Sequence, residues 1–94
     1  MDFVVERYLP GLDRDALERA FARLRQATEE MRGEGTHVRY LGSTVVPQDE
    51  ACFCQFEADS EEAVIEASRR AGVPSHRVVV AVTVTNRERR RHEP

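Results

Sequence analysis

The chain has 94 residues, 40% of them apolar and 33% charged, a length that closes one core and leaves no room for a second core or a deep, fully enclosed active site. Its basic side chains are all arginine, 14 against 17 carboxylates, and the net charge of -3 works against non-specific contact with nucleic acid. No run approaches the roughly 18 apolar residues of a membrane span, and the opening Met1-Asp2-Phe3-Val4-Val5-Glu6 lacks a signal peptide's basic and long apolar regions, so a cytoplasmic domain is expected.

Phe3 to Leu9 is rich in β-branched and aromatic residues and is stopped by Pro10-Gly11, which predicts a first strand. Asp13 then offers a cap, Asp15 a negative charge in the first turn, and Leu17, Ala20, Phe21, Leu24, Thr28 and Met31 fall on one face of a helix that Gly33 or Gly35 ends. Thr36 to Val46 predicts a second strand with a bulge at Gly42-Ser43. After the polar turn Pro47-Gln48-Asp49-Glu50, Ala51 to Glu57 predicts a third strand, making a hairpin. Asp59 and Glu62 have capping-box spacing, so a second helix is expected to start at Asp59, with Val64, Ala67, Ser68 and Ala71 as its buried stripe and Gly72 and Pro74 as its end. Val78 to Thr85 predicts a fourth strand.

The order β-α-β-β-α-β with right-handed crossovers is the ferredoxin-like α+β arrangement, a four-stranded antiparallel sheet with strands 1 and 3 at its centre and both helices on one face. Residues 1–86 are expected to form this single domain and residues 87–94 a charged, disordered tail. Strands 3 and 4 carry apolar residues at both parities, as in Phe53 with Cys52 and Cys54, and Val79 with Val78 and Val80. The sheet face away from the helices therefore calls for a cover, and a homodimer through that face is expected.

Cys52 and Cys54 share one face of strand 3, where a thiolate would serve as metal ligand or nucleophile and a thiol as a small core residue; the spacing is wrong for an ordinary disulfide, so both are expected to be reduced. Glu6 stands mid-strand with Tyr8 on the same side, which suits either a general base or an ion pair with an arginine across the sheet. His37, His76 and His92 are well separated, and His76, in the loop before strand 4, is the best placed as a ligand. Although βαββαβ is also the fold of RNA-recognition motifs, Asp49 and Glu50 stand where such a motif needs a basic residue and a glycine, so no nucleic-acid partner is expected.

FVVERYLPG, GSTVVPQDEACFCQFEADSEEAV and RRAGVPSHRV resemble the small bacterial nickel-binding-protein family, over roughly residues 3 to 85. The resemblance implies a ferredoxin-like fold, pairing through the open sheet face, and nickel or another divalent transition metal. Glu6-Arg7, Cys54, Glu57, Ala71-Gly72, Pro74 and Arg77 match the family pattern, whereas two positions expected to be histidine in many relatives are Leu41 and Ala67, which implies weakened metal binding. Cys54, Glu6 and His76 are the candidate metal ligands, and Tyr8, Cys52, Glu57 and Arg77 the candidate ligand-binding residues. Three readings stand at this point: a small dimeric metal- or ligand-binding module, a small dimeric α+β-barrel enzyme using a Glu/Tyr/Cys pocket on an organic substrate, and a pure interaction domain.

Overall fold

The computed structural model describes residues 1–86. The expectation of a disordered tail over residues 87–94 lies outside the described residues. Strand β1 (Asp2–Tyr8) leads to helix α1 (Arg14–Gly33), strand β2 (Val38–Val46), a short 3-10 turn (Pro47–Asp49), strand β3 (Ala51–Ala58), helix α2 (Glu61–Ala71) and strand β4 (Arg77–Ala81). The strands form one antiparallel sheet in the order β2-β3-β1-β4, the ferredoxin-like arrangement expected from the sequence.

Alternation along the central strands divides the sheet into two faces. Phe3, Val5 and Arg7 of β1 and Cys52, Cys54, Phe56 and Ala58 of β3 are buried on the helix-covered side. They pack with Ala20, Leu24, Ala27 and Met31 of α1 and with Ala63, Val64, Ala67 and Ala71 of α2. The inward face of α2 is made mostly of small residues, all buried, while Leu17 and Phe21 of α1 are only partly buried because the core opens toward the start of that helix.

Several boundaries differ from the sequence-based expectation. Asp13 caps α1 as expected, accepting from the Ala16 amide at 2.8 Å, but α2 is capped by Ser60, whose hydroxyl accepts from Ala63 N at 3.2 Å. Asp59 instead spends its amide on the His37 carbonyl, at 3.4 Å, so the chain has not yet turned into the helix there. The bulge in β2 lies between Tyr40 and Gly42, where Leu41 is the extra residue and Gly42 takes φ 152, one position ahead of the expected site. Strand β1 begins at Asp2, and β4 stops at Ala81, where its ladder with β1 ends on the pair Asp2↔Ala81. Val82 and Val84 are consequently exposed.

Candidate functional site

The largest fully buried side chain is Arg7, which β1's alternation sends into the core side by side with Val5 and Phe3. Its guanidinium donates through Nη2 to Ser68 Oγ (2.9 Å) and through Nη1 to Ser75 Oγ (3.0 Å) and the carbonyls of Pro74 (3.2 Å) and Val73 (3.4 Å). Through Nε it donates to Cys54 Sγ at 3.2 Å. These acceptors are neutral apart from the one group that can ionise, Cys54. A buried cation without a compensating anion is costly, which makes Cys54 thiolate the natural counter-charge.

Two further donors reach the same sulfur. Ser43 Oγ donates to it at 3.0 Å and is itself in contact with the Tyr40 hydroxyl, while Cys52 Sγ lies 3.5 Å away. Both cysteines are free, as expected. The hydrogen bond from Cys52, the Ser43 hydroxyl and the Arg7 charge together pull the Cys54 thiol down to about 6 against the opposing effect of burial. Cys52 moves the other way, because its proton is held by its neighbour and its own surroundings are dry. Burial pushes the Tyr40 phenol up to about 12, so it remains protonated beside Ser43. Only one of the two sulfurs is therefore ionised near neutrality.

Cys52 also forms part of the wall of a cavity of about 660 Å³ under the first turns of α1. Leu9, Leu12, Leu17, Phe21 and Val45 make it apolar. Its rim is fixed by Glu50, which sits in the left-handed region at φ 52 and accepts from Gly11 N at 2.8 Å, while its carbonyl takes the Leu9 amide, also at 2.8 Å. That bridge ties the end of β1 to the β2–β3 turn.

The remaining candidates lie on the opposite face of the sheet, apart from His76 in the loop before β4. Register places Thr44, Phe53, Glu6 and Arg77 in one row across it, with Gly42, Gln55, Val4 and Val79 in the next. Glu6 pairs with Arg77 at 3.4 Å, and both Tyr8 and Arg77 are well exposed. His76 is exposed in the loop before β4 and hydrogen bonds through its amide to the Glu6 carbonyl at 2.8 Å. Glu57 meets His37 at 3.0 Å, a contact the sequence did not reveal, and His37 holds the Glu57 carboxyl below its usual range. Glu6 and Tyr8 thus stand with the sheet between them and the cysteines, so the seven candidates form two groups and the proposed Glu/Tyr/Cys pocket does not assemble. Since the Arg77 side chain is 66% exposed, Glu6→Gln is expected to cost no more than about 1 kcal/mol in chemical denaturation. A loss several times larger would show that Glu6 is structurally indispensable.

Among the described residues no three His, Cys, Asp or Glu side chains converge as a metal cage. The described residues of one protomer therefore do not gather the four or more donors that nickel prefers. The two positions expected to be histidine in many relatives have different surroundings, Leu41 being exposed on the bulge and Ala67 fully buried on the inner face of α2. A histidine at position 67 would overfill that contact.

A family model described as "Nickel responsive protein SCO4226-like" matches residues 3–80. Among solved structures the chain is similar to the crystal structure of SCO4226 from Streptomyces coelicolor A3(2), with a TM-score of 0.73 and 21% identity over 90% of this chain and 100% of that one. No curated protein matches the chain. Among the described residues no helix is long and apolar enough to cross a membrane.

Proposed function

Because the chain belongs to the nickel responsive protein SCO4226-like family, we propose that it is a small dimeric binding module. Two copies meet open face to open face, and a divalent transition metal, nickel first, is held at the seam by Glu6, His37 and Glu57 of both. The observation that carries this reading is the make-up of the open face. Val4, Phe53 and Val79 lie in its middle rows, and its charges come in both signs, Glu6 beside Arg77 and Glu57 beside Arg39. A two-fold partner presents the same set reversed, so each charge can meet its opposite while the apolar middle is removed from water. Joining two protomers also doubles the imidazole and carboxylate donors that the described residues of a single copy supply too sparsely for nickel.

Sedimentation velocity at micromolar concentration is expected to show a dimer that Phe53→Glu converts to monomer without loss of helical signal. A wild-type monomer would overturn the interface. Nickel calorimetry is expected to show binding that His37→Ala and Glu57→Gln weaken and Cys54→Ser leaves intact. The reverse pattern would move the metal to the other face of the sheet.

A further inference from the structure

We propose that Cys52 and Cys54 form a two-coordinate site for a soft monovalent cation, copper(I), with the buried Arg7 guanidinium as the fixed counter-charge of the metal–dithiolate complex. The site is separate from the open-face seam, and neither reading depends on the other.

The geometry supports it from three sides. First, both sulfurs are free, fully buried and 3.5 Å apart. A thiolate–metal bond of about 2.3 Å, as for zinc, sets two linear ligands about 4.6 Å apart. The sulfurs hang from alternate residues of one strand, whose anchors lie nearly 7 Å apart by the strand rise, so turning the two side chains outward reaches that separation without moving the backbone.

Second, the charge balances for a monovalent ion. Two thiolates and one copper(I) carry a net charge of -1, and Arg7, whose described partners include no carboxylate, supplies +1 at 3.2 Å from one of the sulfurs. A divalent ion on the same two sulfurs would be neutral, leaving the guanidinium uncompensated in the core. It would also need further ligands, and the nearest other groups at Cys54 are the Ser43 hydroxyl and the Arg7 cation. Thiolates in a dry, crowded setting, with no third or fourth donor among the described residues, select a soft ion content with two.

Third, there is a way in. Cys52 lines the cavity beneath α1, so an ion carried on a small ligand can approach the pair from that side and be passed inward to Cys54. Each sulfur binds as the thiolate, any proton it still carries leaving to solvent as its bond to copper(I) forms, and no electron is transferred.

The test is an anaerobic titration of the full chain, kept reduced, with copper(I) presented as its complex with the chromophoric chelator bathocuproine disulfonate. The expected result is withdrawal of one copper(I) per protomer from the chelator, with an absorption spectrum showing two sulfur neighbours and no others. Cys52→Ser and Cys54→Ser are each expected to weaken binding by more than the roughly 10–100-fold that loss of an outer partner costs. Arg7→Lys should keep more affinity than Arg7→Gln. Failure of the folded wild-type protein to compete for copper(I), binding that survives Cys52→Ser unchanged, or a coordination shell of three or more ligands would each overturn the proposal. Nickel binding in Cys52→Ser is expected to match wild type, so the copper and seam assignments fail separately.

Discussion

Arg7→Met is expected to lower the stability of the fold by about 3–5 kcal/mol, most of what a domain this size has to lose. Methionine fills a similar volume, so the loss comes from the groups left behind. Ser68, Ser75 and the carbonyls of Val73 and Pro74 would lose the donor that now gathers them around one guanidinium, and the Cys54 thiolate would lose its counter-charge. These acceptors sit on the end of α2 and the loop into β4, so the arginine is also the bolt between β1 and that corner. Urea denaturation measures the effect. Adding Cys54→Ala to Arg7→Met should recover part of the loss, because the anion disappears together with the cation, and a double-mutant cycle should return a coupling of roughly 0.5–3 kcal/mol. A loss below about 1 kcal/mol with no coupling would mean that water or a rearranged loop satisfies these groups as well as Arg7 does.

The architecture was legible because the cues that set it are local. Period-two and helical patterns, together with glycine and proline at the joints, gave all six elements and their order, and crossover handedness then put β1 and β3 at the centre. Boundaries failed where a long-range partner decides. Val82 to Thr85 has the pattern of a strand, yet a strand ends where its neighbour ends, and that neighbour begins at Asp2. Likewise Asp59 and Ser60 are both good capping residues, and the bond from Asp59 N to the His37 carbonyl, between segments distant in sequence, chose between them.

The site was legible only in part, and the missing residue had left a signal. Glu6 drew attention as the carboxylate in mid-strand, but alternation from Phe3 and Val5 assigns the inward position to Arg7. An arginine on the buried parity of a central strand is a stronger anomaly than a glutamate on the open one, because its charge must be answered inside the core. That Cys54, Ser68 and Ser75 gather around that charge does not show in any local pattern, since they come from three separate segments. The Cys52–Cys54 spacing did point to one face of β3, and that face is where the polar cluster formed.

The pH dependence of stability carries the second large effect. In the folded protein Cys54 ionises at about 6, whereas a thiol in the unfolded chain ionises near about 8.5. Between these values the unfolded state binds a proton that the folded state has released. Stability from this group is therefore fully present above the unfolded thiol range, and it drains away as the pH falls through the folded value. Cys52, shifted upward, acts oppositely and only above the unfolded range, where the unfolded chain ionises and the folded one resists. The stability advantage of wild type over Cys54→Ser should accordingly widen from pH 6 to about pH 8.5, by up to about 1.4 kcal/mol per pH unit for one proton, and narrow above that. Using the difference between the two proteins removes the histidines and surface carboxylates, which both retain. Thiolate absorbance in the ultraviolet should rise over the same acidic limb in wild type and be missing there in the variant. A difference curve flat across this range would mean that Cys54 stays protonated and that Arg7 rests in the core on neutral acceptors alone.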